Sequence, residues 1–255
     1  MKLITVVLFA LMGCASIAPA GARSNPLRSV HFDPTPGPHI RIEKISNHVW
    51  LHESSHEISG YGRISANGII VVGSRGAMVI DSSWTEKQTA WLLERVHAAT
   101  GTAAIALVPT HSHDDRAGGI GIAARMGVAT HALDKTNELL RRNNKPTAVT
   151  SFAGERLFEL GGVSVEVFYP GAGHTVDNAV VYVREDRLLF GGCLIRSARS
   201  KGLGYTEEAD IRAWPGTVER IIERYPAVQI VVPGHGPSGD SALLTHTVEL
   251  AKRGR

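Results

Sequence analysis

Apolar positions follow two rhythms along this chain, and the switch between them marks out the elements. HIRIEKIS at 39–46 and HVWLH at 48–52 alternate apolar and polar residues and predict strands, with SSHEISGYG at 54–62 as a loop or hairpin tip. GIIVV at 68–72 and AMVIDS at 77–82 continue the sheet. From Thr85 to Ala99 the period lengthens: Thr89, Leu92, Leu93 and Val96 recur at helical spacing, with Glu86 in the first turn. AIALVPT from 104 returns to a strand. A short helix is predicted over 117–126, a strand at GVATH and a helix at LDKTNELLRRN.

The second half repeats this order. Strands are predicted near 155–160, 163–169, 178–184 and 187–191, then a helix over 215–225 with Val218, Ile221, Ile222 and Tyr225 on one stripe. Strand VQIVV at 228–232 and a terminal helix from Asp240 complete it. Strands followed by a covering helix, twice over, predict an α/β fold in which two sheets pack face to face with helices on both outer faces. In that four-layer arrangement the loops at one edge of both sheets gather together.

Residues 39–255 are enough for one sizeable core and are read as a single catalytic domain. Ahead of it the pattern is different. Lys2 precedes an apolar run from Leu3 to Met12 that is too short to span a bilayer and reads as an export signal, so 1–24 is assigned to the signal and the start of a tether. Leu11, Met12, Gly13 and Cys14 resemble the lipobox of bacterial lipoproteins, which makes Cys14 a candidate for lipidation; the alternative is soluble secretion after Ala18-Pro19-Ala20. Residues 25–38 form a Pro/Gly-rich linker without apolar periodicity. The expected location is the periplasm, with anchoring to the outer membrane through Cys14.

Composition adds little to the choice of partner. A net charge of +3 and the lack of a Lys/Arg block with interleaved aromatics argue against a nucleic-acid partner. Cysteine usage says more. Only Cys14 and Cys193 are present, and removal of the signal leaves Cys193 without an intrachain partner. In an oxidising compartment an unpaired thiol is a liability unless it is buried or held by a metal, so Cys193 reads as a soft, zinc-type ligand.

The chemistry concentrates in THSHDDRAGG, directly after the apolar run at 104–109. A tight turn past a strand end lets His111, His113 and Asp115 converge on one small volume. His174 in PGAGHTVDN, Cys193 in LLFGGCLI and His235 in VVPGHGPSG each follow or end an apolar segment among glycines, which let the backbone turn sharply or approach closely. Three neutral imidazoles, His111, His113 and His174, suit one zinc ion that keeps an open position. Asp115, Cys193 and His235 suit a second zinc, whereas magnesium or calcium would want oxygen donors without a thiolate. Two adjacent metals can share a hydroxide and lower its pKa, which points to hydrolysis. The other histidines, including His48, His52 and His131, read as ordinary core or surface residues.

Over 39–255 these residues resemble the metallo-β-lactamases of subclass B1, which carry two zinc ions. The resemblance implies the αββα sandwich, a first Zn2+ on His111, His113 and His174, and a second on Asp115, Cys193 and His235. It implies opening of the β-lactam amide of penicillins, cephalosporins and carbapenems by a metal-activated hydroxide, with no covalent acyl-enzyme and with Asp115 orienting the hydroxide. Asp81 in VIDSSW and Arg116 would support the ligand turn from behind. Relatives acting on thioesters or lactones read HxHxDH with a bridging Asp; Arg116 stands where that last His would be, and Cys193 where the Asp would be. Such a hydrolase and a non-enzymatic zinc-binding module remain the alternatives.

Substrate contacts follow from the same resemblance. Many subclass B1 enzymes place a Lys three residues after the Cys ligand to pair with the substrate carboxylate; here that position is Arg196, with Arg199 and Lys201 as substitutes. Where the family commonly reads GLGN, this chain has Gly202-Leu203-Gly204-Tyr205. Ile58 and Tyr61, in the hairpin 54–62, offer apolar contact over the substrate. The chain is expected to act as a monomer on small-molecule β-lactams.

Overall fold

The computed structural model describes residues 40–254. The expected signal, linker and Cys14 therefore lie outside the described residues. The first half runs β1 (Ile40–Lys44), β2 (Val49–Ile58), β3 (Gly62–Gly73), β4 (Gly76–Ile80), α1 (Glu86–Thr100), β5 (Ala104–Val108), α2 (Asp114–Ala117), α3 (Ile120–Arg125), β6 (Ala129–Leu133), α4 (Asp134–Arg142) and β7 (Thr150–Phe152). The second runs β8 (Glu155–Glu159), β9 (Ser164–Phe168), β10 (Val180–Val183), β11 (Leu188–Gly192), α5 (Trp214–Arg224), β12 (Ile230–Pro233) and α6 (Ala242–Arg253). β1 to β7 form one sheet in chain order, and the other sheet has the order β12-β11-β10-β9-β8.

Continuous apolar runs in the central strands have a simple cause: both faces are buried. In β4, Met78 and Ile80 point into the core between the sheets while Ala77 and Val79 meet the outer layer with Leu92 and Val96 of α1. In β10, Val181 and Val183 face the same central core, and Val180 and Tyr182 pack with Trp214, Val218 and Ile221 of α5. Period-two alternation thus feeds three cores and fixes four layers, αββα. Thr85 caps α1 by accepting a hydrogen bond from Gln88 N at 3.2 Å, and Gly101 closes it at a φ of 75°.

Strand direction puts the ligand segments at one edge. β9, β11 and β12 run the same way, because β9 and β11 are both antiparallel to β10 and β12 is parallel to β11. His174, Cys193 and His235 all follow the C-terminal ends of these strands, and the turn after β5 brings the first sheet's ligands to the same edge. Two cross-links close the seam: Ala179 N donates to Thr110 O at 2.7 Å, and Asn67 N of β3 donates to Gly234 O at 2.8 Å.

Two local expectations need correction, and one strand was not expected. The strands of the hairpin extend to Ile58 and from Gly62, leaving only a short tip, because pairing of β2 with β3 continues beyond the core where apolar alternation fades. The helix expected over 117–126 begins at Asp114 and breaks at Gly118 and Gly119 into two short helices. Strand β7, three residues long, carries too little pattern to be read.

His52 is a buried core histidine whose ring lies over its cross-strand partner Gly68; a Cβ there would overlap the imidazole. Its Nε2 donates to Ile80 O at 3.2 Å, and burial holds its pKa down at about 4 against an ordinary 6.5. The folded pKa is depressed, so this contribution to stability is present above pH 6.5 and lost as pH falls through 4. At 1.36 kcal/mol per unit the loss is about 3 kcal/mol. Urea unfolding of metal-free protein should therefore show a smaller drop between pH 7 and pH 4 in His52→Gln than in the wild type; equal drops would contradict it.

Candidate metal centre

All six expected donors meet. Ligating atoms of His111, His113 and Asp115, of His111, His174 and Cys193, and of Asp115, Cys193 and His235 form overlapping groups, each with its atoms within 4.8 Å of one another. The rings of His111, His113 and His174 stand edge to face at centroid separations of 4.7, 5.1 and 5.2 Å. The three imidazoles thus stand nearly perpendicular to one another around His111, which belongs to a donor group with His113 and to another with His174.

Hydrogen bonds at the far side of the His113 and His235 rings select the coordinating nitrogen. His113 Nε2 donates to Glu208 Oε2 at 3.0 Å, which leaves Nδ1, 3.1 Å from His111 Nε2, as the free donor. His235 Nδ1 donates to Ser65 O at 2.6 Å, so its Nε2 faces Cys193 Sγ at 3.3 Å and Asp115 Oδ2 at 3.2 Å. Burial, with His113 and His174 nearby, holds His111 well below the usual histidine range, and burial with His113 holds His174 at about 3. Both are neutral, the form in which imidazole binds a metal. His235 differs: although burial disfavours its charge, the Cys193 thiolate and Asp115 hold it up at about 10, so metal uptake at this group releases a proton.

Beneath the second group lies Arg116, fully buried. Its Nη2 reaches Asp115 Oδ2 at 2.8 Å, Cys193 Sγ at 3.1 Å and Gly234 O at 2.9 Å. Its Nη1 donates to Asp81 Oδ2 at 3.0 Å and to Asn67 O. Burial works against this cation, but Asp115, Cys193 and Asp81 together raise its pKa. Burial pushes the Asp81 carboxyl up to about 7, while Arg116 and Thr110 favour its ionised form. Asp81 accepts from Thr110 N at 2.6 Å and Thr110 Oγ1 at 3.0 Å, from a left-handed backbone at φ 62° that aspartate tolerates. Gly234 cannot carry a side chain, since a Cβ would lie 2.7 Å from Cys193 N and 2.8 Å from Arg116 Nη2.

Ser65, Asn67, Thr110 and Glu208 were not singled out in the sequence. Asn67 Nδ2 donates to Pro233 O at 2.9 Å and Gly236 O at 2.7 Å, holding both sides of His235. Among the expected substrate contacts, Tyr205 sets its ring against His113 at 5.7 Å, and Arg196 Nε donates to Gly202 O at 3.2 Å with its guanidinium packed over Gly204. Tyr61, 69% exposed, stands at the hairpin tip within electrostatic reach of Tyr205. Ile58 is half-buried at the end of β2.

The expected periplasmic location with a lipid anchor is overturned as far as the cysteines bear on it. Cys193, the cysteine within the described residues, is buried in the metal centre and is not a lipidation anchor.

The donor set is nitrogen-rich, contains a thiolate and fits two zinc ions. Cobalt-substituted protein should show a thiolate-to-metal charge-transfer band that disappears in Cys193→Ser, and zinc analysis of the wild type should give two ions per chain. A band that survives the substitution would remove Cys193 from the site.

Known proteins match this chain in both sequence and shape. The family model for the metallo-beta-lactamase superfamily matches residues 61–235. The metallo-beta-lactamase type 2 of Elizabethkingia meningoseptica is 36% identical over 213 residues, covering 84% of this chain and 85% of that protein. The solved structure of DIM-1 metallo-β-lactamase superposes with a TM-score of 0.82 at 40% identity, covering 87% of this chain and 100% of its own. A metallo-β-lactamase from Pontibacter korlensis gives 0.80 at 39% identity, covering 84% and 99%. With that likeness and the aspartate, cysteine and histidine of its second donor group, the chain belongs to the metallo-β-lactamase superfamily and carries the metal site of subclass B1.

Proposed function

We propose that this protein is a zinc-dependent hydrolase that opens the amide bond of β-lactam antibiotics. The observation that carries the reading is the pair of donor groups sharing Asp115 at the sheet edge, one of imidazoles and one with the Cys193 thiolate. Bound there, two zinc ions supply Lewis acidity at the substrate carbonyl and bring the pKa of water towards neutrality. The relatives named above are metallo-β-lactamases by name, which supports the same substrate class.

The chain's own residues then have distinct tasks. Asp115, which belongs to two of the donor groups, accepts a proton-bearing edge of the attacking water and orients it. Glu208 fixes the His113 ring through Nε2, and Arg116 offsets the charge of Asp115 and Cys193 from below. Arg196 receives the substrate carboxylate. Burial lowers its pKa from the ordinary arginine value, yet it stays charged, and its packing over Gly204 presents the guanidinium in a fixed pose. Tyr205 and Tyr61 flank the substrate, with Ile58 at the base of the hairpin tip. The Tyr205 hydroxyl donates to Glu207 Oε2 at 3.3 Å, so this residue acts as an aromatic wall and not as a donor to the carbonyl. All six metal donors come from one chain, which suits a monomer. Water is the nucleophile, and no serine or thiol needs to be acylated.

Steady-state hydrolysis of a penicillin, a cephalosporin and a carbapenem, with bound zinc measured in parallel, tests these roles. Arg196→Ala should raise KM for all three by roughly 10-fold to 100-fold, the worth of a charged hydrogen bond, with a smaller change in kcat. Asp115→Asn should lower kcat even with zinc in excess. Unchanged KM in Arg196→Ala would take that residue out of the site. Faster turnover of an acylated glutathione thioester or a homoserine lactone than of any β-lactam would overturn the assignment.

A further inference from the structure

The hairpin of β2 and β3 leaves the body of the protein at one register pair. Ser54 and Ala66 face each other and are both buried, and from Ser55 to Ser65 no residue is buried. Among the described residues, pairing of β2 with β1 reaches outward to Ser54 and no further, and β3 pairs with β4 from Ile69 onwards. Residues 56–64 are therefore a ribbon of two strands without a third, and such a ribbon is marginally stable by itself. What sets its angle must act at the root.

Side chains from outside the hairpin grip that root on both strands. Ser55 and Ser65 form the first pair beyond the buried one. Gln88 Nε2 of α1 donates to Ser55 O at 2.8 Å, and His235 Nδ1 donates to Ser65 O at 2.6 Å. Trp84 adds to the β2 side: its Nε1 donates to Ser54 O at 3.4 Å, and its ring stacks on that of His56 at 5.8 Å with 26° between the planes. Gln88 is buried, and the Thr85 cap holds its backbone, so the amide has a set position. The segment carrying Trp84 and Gln88 is fastened in turn to the stretch that follows the metal ligands. Ser82 N donates to Arg116 O at 2.7 Å, Gly119 N donates to Ser82 Oγ at 2.9 Å, and Gly118 packs against Trp84 O with no room for a Cβ. Residues 82–88 thus form a bracket from the His111–Asp115 turn to the β2 side of the root, and His235 closes the β3 side.

We propose that Gln88 is a positioning residue for substrate: by holding Ser55 O, with Trp84 at Ser54 and His56, it sets the angle at which the hairpin presents Ile58 and Tyr61 to a molecule bound at the metal donors. This deepens the β-lactam reading and rests on it. Gln88 touches neither substrate nor metal; it acts through the hairpin. With the root released, the ribbon spends less time at the competent angle, and apparent affinity falls in proportion to that fraction. The metal donors keep their own supports in Arg116, Asn67 and Glu208, so the rate of the bound complex is spared.

The test takes two readouts on the zinc-loaded protein, with bound zinc and melting temperature measured in parallel. Gln88→Met keeps the length of the side chain and removes the donor. Amide hydrogen exchange over 56–64 should quicken by about 3-fold to 10-fold, the worth of one hydrogen bond, while exchange in β4 and β10 stays at the wild-type rate. KM for a cephalosporin should rise by the same factor, with kcat near the wild-type value. Trp84→Phe, which keeps a ring against His56 and loses the Nε1 donor, should shift both readouts in the same direction by less, and it decides the matter if Gln88→Met does not fold. Wild-type exchange over 56–64, a quickening that spreads through β4 and β10 in step with the melting temperature, or faster hairpin exchange with an unchanged KM would each overturn the proposal. A fully zinc-loaded wild type that turns over no β-lactam would overturn the substrate reading beneath it, whatever the exchange shows.

Discussion

Arg116 is the cation on which the site depends. It is fully buried, and it touches Asp81, Asp115 and Cys193 at 3.0, 2.8 and 3.1 Å. Burying a charge costs several kcal/mol unless it is paired and hydrogen-bonded. Here the pairing runs both ways: the guanidinium makes it tolerable to bury an aspartate and a thiolate side by side, and they make it tolerable to bury the guanidinium. Its remaining bonds, to the carbonyls of Asn67 and Gly234, fasten β3 and the His235 loop to the same point. The charge knot is thus also the mechanical junction of the two sheets at the functional edge.

The rest of the fold brings strand ends to that junction. Alternation within doubly buried strands produces three cores and four layers, and the shared direction of β9, β11 and β12 delivers their loops to one side. Glycine at 234 lets the backbone pass against Cys193 and Arg116, where any Cβ would collide. Above the knot the imidazoles are oriented by groups of varied kind: a carbonyl for His235, a carboxylate for His113. A site assembled in this way holds its donors before a metal arrives, so little ordering cost falls on binding.

Much of this was legible in the sequence, for physical reasons. The six donors stand at the ends of apolar runs and among glycines, and their residue types already divide into an imidazole set and a thiolate set. Layer order was legible because two-residue and helical periods differ. The hidden part consists of partners that act through backbone atoms or across long sequence gaps. Asn67 and Ser65 serve His235 from about 170 residues away, in a strand whose pattern shows only pairing. Glu208 lies in an exposed polar stretch that carries no period. The hairpin strands were read too short because their outer turns are held by pairing and not by burial. The location expected from the first residues rested on the apolar run Leu3 to Met12 and, for the anchor, on Cys14, all outside the described residues, and the cysteine that is described serves the metal centre.

The claim that one buried charge knot organises the site is tested most directly by a double-mutant cycle on Arg116 and Asp81, read by urea unfolding of metal-free protein. Arg116→Met alone should cost about 3–5 kcal/mol, because it strands Asp81 without a counter-charge and leaves Asp115 with His235 alone. Combined with Asp81→Asn it should cost less than the sum of the single losses by about 1–3 kcal/mol, since one stranded charge is removed with its partner. Losses that add within about 0.5 kcal/mol would show that the two side chains are energetically independent, and would contradict the account.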